Sequence, residues 1–134
     1  MRKPSFLNSH LIDVKDGLSH IQTPALIIDL DLLDTNQTLL QRYCEQKNIR
    51  LRPHTKTHKC VEIAKRQISA GAQGICCAKL GEAEVMAEGG IGDILITSPI
   101  VTALGIDRLI DLSRTSDITV VVDSIENVEM IAAA

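Results

Sequence analysis

A chain of 134 residues, 45 % of them hydrophobic, is long enough for one ordinary domain with a real core, which argues against disorder. A formal net charge of -3 gives no global pull toward nucleic acid. No run approaches the ~18 consecutive apolar residues of a membrane span, so no membrane partner is expected.

Aromatic side chains are nearly absent, so the core has to be built from Ile, Leu, Val and Ala, as in sheets covered by helices. Residues 1–22 are polar and mixed and read as an N-terminal arm. From Thr23-Pro24 onward come the apolar runs ALIIDL (25–30), IRLRPHTK (49–56), GICCAK (74–79), DILITS (93–98) and DITVVVDS (117–124). Their starts lie roughly 20 to 25 residues apart, room for one strand, one helix and two loops.

The gaps between the runs have helical periodicity. Leu32, Leu33, Asn36, Leu39, Leu40 and Tyr43 fall near one face, with Asp31 as the expected N-cap. Val61, Ala64 and Ile68 form the next stripe, and Gly71 is placed to end that helix. Ala83, Met86 and Ala87 form a third stripe closed by Gly89-Gly90, and Ile106, Leu109 and Ile110 a fourth. The chain stops in Met130-Ile131-Ala132-Ala133-Ala134, good helix formers with no stop signal, as expected of a chain cut inside a helix.

Strands alternating with helices at this spacing predict an α/β fold with a parallel sheet. Periodicity leaves two closures open, a (β/α)8 barrel of the TIM type or an open doubly wound sheet. No GxGxxG follows the first strand, which weakens the dinucleotide-binding form of the open sheet. A whole barrel takes ~250 residues, so this chain would be about half of one.

Cys44, Cys60, Cys76 and Cys77 contain no CxxC pair, and no signal peptide precedes them. They read as reduced thiols of a cytoplasmic protein.

The one dense basic cluster is IRLRPHTKTHKC, residues 49–60. On a strand, Ile49, Leu51, Pro53 and Thr55 would face the covering helices, and Arg50, Arg52, His54 and Lys56 the opposite side. Inside a barrel that side is the lumen, normally lined by Val, Ile and Leu. Cations there are costly to desolvate unless something anionic joins them. Lys56 falls at the C-terminal end of its strand, the rim where barrel active sites lie. Burial and neighbouring cations both favour a neutral amine, the form that attacks a carbonyl carbon. Pattern alone thus proposes Lys56 as an imine-forming nucleophile. The competing reading is a solvent-facing lysine on an edge strand marked by Pro53.

The segments TPALIIDLD, LRPHTKTHK and GICCAKLGEAEVMAEGGIGDILIT, in that order, resemble the D-threonine aldolase and D-serine dehydratase-like family of fold-type III enzymes, which share an alanine-racemase-like N-terminal barrel. The likeness covers nearly all of residues 23–100. It implies a lyase dependent on pyridoxal 5′-phosphate, acting on a small D-β-hydroxy amino acid through a Schiff base on Lys56. The family motif RPH-x-KT-x-K lies here on Arg52 to Lys59, so His54 and Arg52 are implied as further cofactor-side residues. Residues 23–48 would be a strand and helix leading into the barrel, and residues 49–134 the barrel's first half. The first of these strands would belong to a second, β-rich domain. The resemblance also implies a homodimer at full length. It implies a divalent metal too, held in many members by a His-x-Cys pair near the C-terminus of the full-length protein, outside these residues. Activity of these residues alone is not expected. A D-serine dehydratase-like ammonia-lyase and a non-catalytic pyridoxal-phosphate barrel are the alternatives.

Other polar residues carry weaker expectations. His58 and Cys60 match no standard zinc spacing and read as packing or surface residues. Cys76 and Cys77 read as small core residues, one of them facing the lumen. Lys79, Ser98 and Asp123 stand at strand ends on the expected rim.

Overall fold

The computed structural model describes residues 8–134. They fall in two units, 1–33 and 34–134.

The described part of the first unit holds two short 3-10 turns, Ser9–Leu11 and Gly17–His20, and a cis Thr23–Pro24 peptide. The Asn8 side-chain carbonyl accepts the Gln22 amide at 3.2 Å. The expected strand at 25–30 is not formed. Residues 25–29 find no ladder partner among the described residues, and Leu26, Ile27 and Ile28 stay exposed. An unpaired strand has nothing to satisfy its amides, so apolar character alone does not make one.

Helix α1 (Leu30–Gln46) begins two residues earlier than expected. Its cap is Asp29, whose carboxylate accepts the Leu32 amide at 3.0 Å, and not Asp31. The buried face of α1 also differs from the apolar stripe. Gln41 and Cys44 are buried, whereas Leu32, Leu39, Leu40 and Tyr43 are more than half exposed. Gln41 is drawn inward by its Nε2, which donates to Gly71 O at 3.0 Å and Glu45 Oε1 at 2.9 Å. A Cβ on Gly71 would sit 2.9 Å from that nitrogen, so glycine makes the approach possible.

The rest of the second unit is a run of βα units: α2 (Val61–Ser69), β1 (Ile75–Cys77), α3 (Leu80–Glu88), β2 (Asp93–Ile96), α4 (Ala103–Ser113), β3 (Asp117–Val120) and α5 (Ile125–Ala132). Both α2 and α3 end in the predicted glycine stops. After α2, Gly71 at φ +114° donates to Ile68 O and Ala72 to Gln67 O. After α3, Gly90 at φ +91° donates to Ala87 O and Ile91 to Met86 O. Each pair of bonds satisfies carbonyls that a helix end leaves free. Thr102 and Ser124 cap α4 and α5 by accepting the amides of Gly105 and Asn127.

The three strands are parallel, in the order β1-β2-β3, with Cys76 beside Leu95 and Leu95 beside Thr119. The basic stretch 51–54 lies along the free edge of β1. Gln73 donates to Leu51 O, Cys76 to Pro53 O, and His54 pairs with Cys76 in a single parallel bridge. It is therefore an extended edge rather than the full strand predicted over 49–56. Pro53 has no amide to give, and the chain turns at Thr55.

Sequential order with no reversal among the described strands fits the winding of a barrel. The chain is part of an α/β barrel of parallel strands. Its core is aliphatic: Ile75, Cys77, Ile94 and Ile96 on the sheet pack with Ala64, Leu80, Ala83, Met86, Ile106 and Leu109 from the helices. No described helix is long and apolar enough to cross a membrane.

Candidate active site at the strand ends

Paired positions in a parallel sheet share a face. Since Ile75, Cys77, Ile94 and Ile96 face the helices, Arg52, His54, Cys76, Asp93, Leu95 and Thr97 share the other face. The expected lumen-facing series is thus confirmed for Arg52 and His54, and Cys76 is the cysteine that turns inward.

This face is graded along the strands. At the N-terminal end, the Arg52 guanidinium holds Asp93 in a two-pronged ion pair, Nη1 to Oδ1 at 2.6 Å and Nη2 to Oδ2 at 2.9 Å. The Asp93 hydrogen bond raises the Arg52 pKa above its ordinary value, against the opposing effect of burial. The anionic partner that the sequence requires for a lumen cation is therefore within the chain. Gly74 makes room for it: a Cβ there would overlap Arg52 Nη1 and come within 2.6 Å of Asp93 O.

One step up stand His54 and Cys76. Burial pushes the Cys76 and Cys77 thiols up, so both stay protonated and unreactive, as small core residues do.

At the C-terminal end the chain makes a 3-10 turn over Thr55–Thr57. Thr55 is 1 % exposed, and its hydroxyl donates to Cys76 O at 3.0 Å. The Thr57 hydroxyl donates to His54 O at 3.1 Å. His54 caps the turn by accepting the Lys56 amide on Nδ1 at 3.3 Å. Two threonines and a histidine thus hold a three-residue turn whose middle side chain is Lys56.

Lys56 is exposed, where a buried lysine was expected. The turn carries it past the last ladder pair, out of the sheet's cover. Its ammonium has no ion-pair partner among the described residues, whereas Lys59 three residues on pairs with Glu82 at 3.5 Å. The structure brings Lys56 and His54 together at the rim and places Arg52 lower, committed to Asp93.

The remaining candidates separate from this group. His58 accepts the Cys60 amide on Nδ1 at 3.0 Å, and burial lowers its pKa. No cluster of three or more His, Cys, Asp or Glu suited to a metal ion occurs among the described residues. Lys79 precedes α3, Ser98 follows β2, and Asp123 precedes the α5 cap; all three are exposed at the C-terminal ends. Sequence reasoning missed Asp93, Gly74 and Thr97. A carboxylate and a threonine at the two ends of one short strand, DILIT, were the available signal.

Comparison with known proteins agrees with this geometry. The family model described as "Alanine racemase, N-terminal domain" matches residues 28–134. D-threonine aldolase of Arthrobacter sp is 39 % identical over 119 residues, covering 89 % of this chain and 31 % of that protein. The 3-hydroxy-D-aspartate aldolase of Paracoccus denitrificans (strain Pd 1222) is 43 % identical over 118 residues, covering 87 % of this chain and 30 % of the relative. Among solved structures, D-threonine aldolase from Filomicrobium marinum superposes with a TM-score of 0.85 at 40 % identity, over 87 % of this chain and 31 % of that one. D-threo-3-hydroxyaspartate dehydratase from Delftia sp. gives 0.78 at 37 % identity, over 84 % and 30 %. The chain thus spans about 31 % of the length of the D-threonine aldolase it matches. With a family match running from Ile28 to the last residue, this protein belongs to the alanine racemase N-terminal domain family.

Proposed function

We propose that this chain supplies the lysine-bearing part of a pyridoxal 5′-phosphate-dependent lyase acting on small D-β-hydroxy amino acids. The observation that carries the proposal is Lys56: an exposed, unpaired amine at the C-terminal rim of a parallel barrel edge, on a turn held from both sides, with His54 directly beneath. These residues fit the cofactor. Its aldehyde needs an amine free of ion pairing, and its ring needs a platform beside that amine.

Bound pyridoxal phosphate supplies an electron sink that lets a bond to the substrate's Cα break. The chain's own part is positioning and proton handling. Lys56 would hold the cofactor through its side-chain amine. His54, next to Lys56 on the same face, would border the bound cofactor. Arg52, locked to Asp93, supports the His54 edge from below. The buried Thr55 ties the turn that carries Lys56 to β1. The printed names of the relatives include both aldolases and a dehydratase, so loss of the β-hydroxyl with release of ammonia is the second reading of the same site. Dimer formation and a divalent metal belong to the proposal for the whole enzyme; one solved relative is a dehydratase in a metal-free form.

The test is to incubate the protein with pyridoxal phosphate, reduce with borohydride, and map the labelled peptide. The label is expected on Lys56 and absent in Lys56→Ala. Equal labelling of the two proteins would overturn the assignment. With D-threonine and D-3-hydroxyaspartate as substrates, aldehyde formation against ammonia release separates aldolase from dehydratase.

A further inference from the structure

His54 has both ring nitrogens engaged, and the two bonds have a direction. Nδ1 faces the Lys56 amide, which can only donate, so Nδ1 carries no proton. The neutral ring's proton is then on Nε2, which faces Thr97 Oγ1 at 3.3 Å. The Thr97 hydroxyl proton is spent on Cys77 O at 3.1 Å, leaving its oxygen free to accept. All three links run one way, from Lys56 N–H to His54, from His54 Nε2–H to Thr97, and from Thr97 O–H to Cys77 O. The Thr97 amide also donates to Cys77 O, at 2.9 Å, which fixes the threonine's place at the end of β2. The relay therefore ties the Lys56 turn to β1 and β2 through one imidazole.

We propose that Thr97 is a positioning residue for this site: it fixes the tautomer and tilt of His54, and through His54 the backbone at Lys56. No pattern in the basic stretch reveals this, because Thr97 is 43 residues away from His54 in the chain. The role deepens the cofactor-lysine reading and rests on it for its purpose. The hydrogen-bond relay itself is testable without cofactor. A ring held this way presents a protonated Nε2 to β2 and an unprotonated Nδ1 to the turn, and neither nitrogen is left to compete for the lysine amine.

The first measurement is nitrogen NMR of the cofactor-free protein labelled at its four histidines, with His54 assigned by its loss in His54→Gln. Wild type is expected to show a single His54 tautomer with the proton on Nε2; a proton on Nδ1 overturns the relay without any variant. The second is amide exchange at Lys56 in Thr97→Val, which is isosteric and keeps the backbone bond to Cys77. Loss of one neutral hydrogen bond behind the cap should speed Lys56 exchange about fivefold and average the His54 nitrogen signals. The Cys76 amide, bonded to Pro53 O, should not change. Thr97→Ser should restore both signals. Unchanged Lys56 exchange in Thr97→Val, or a loss spread equally to Cys76, refutes a positioning role. If borohydride labelling of wild-type Lys56 fails while these signals behave as expected, the relay stands and the cofactor reading falls. If labelling succeeds at the same rate in Thr97→Val, the cofactor reading stands and the positioning role falls.

Discussion

Gly74→Ala is the sharpest structural test of how the lumen floor is built. The added methyl would lie 2.6 Å from Asp93 O and 2.8 Å from Asp93 Cγ, and would overlap Arg52 Nη1. Arg52 can swing aside, but Asp93 O cannot, because Asp93 opens β2 and is paired with Asp117 of β3. Overpacking of this kind costs about 1–3 kcal/mol. Displacing the guanidinium also weakens the ion pair. Its side chains are 22 % and 28 % exposed, between the surface case worth ~0–1 kcal/mol and the buried case where breakage costs ~3–5 kcal/mol. Together these give a loss of about 3 kcal/mol. In urea unfolding, with a slope near ~1.5 kcal/mol/M, the midpoint should fall by about 2 M with the slope unchanged. Adding Arg52→Met to Gly74→Ala should lose about 1 kcal/mol less than the sum of the two single changes, since the methyl then has room. A midpoint within about 0.3 M of wild type, or strict additivity, would refute the reasoning that Gly74 exists to admit the Arg52–Asp93 pair.

Two further outcomes are expected. Burial lowers the His58 pKa below its ordinary 6.5, so the unfolded chain binds more protons there as pH falls. That stability is complete above the unfolded value and is lost toward lower pH; between about pH 7 and 5, His58→Gln should show a shallower decline than wild type, and parallel curves would contradict it. Thr102→Ala removes the bond to the Gly105 amide and should cost about 1 kcal/mol by urea unfolding, with Thr102→Ser close to wild type.

The fold was largely readable because its signals are local. Helix stripes in α2, α3 and α4, glycine stops at Gly71 and Gly90, and the spacing of apolar runs all depend on neighbours within a turn or two. The misses have the opposite character. Residues 25–29 have a strand's composition but need a partner strand, and a partner is a tertiary fact. Helix α1 shows its most apolar face outward because Gln41 finds Gly71 O thirty residues on. Alternation carries the strand through Lys56, but the chain turns at Thr55–Thr57 and leaves Lys56 exposed, which a run of alternating residues conceals. Asp93 and Thr97 could not be ranked before it was known which strand lies opposite the basic edge.

That edge explains why so polar a stretch tolerates a barrel interior. Its cations do not share one environment. Arg52 lies at the closed end and is neutralised by Asp93 at hydrogen-bond distance. His54, one row up, has both ring nitrogens engaged by uncharged neighbours, the Lys56 amide and the Thr97 hydroxyl. Lys56 follows on a turn that begins directly after the last bridge, and its side chain is exposed. Each step of two residues moves the side chain about 7 Å along the strand and changes how its polarity is met. Of these three side chains, only that of Lys56 has no partner among the described residues. A paired Lys56 would have to break an ion pair before it could react, and a buried one would have to be desolvated alone. An amine on a held turn, with no ion pair to break, is consistent with the role proposed above for Lys56.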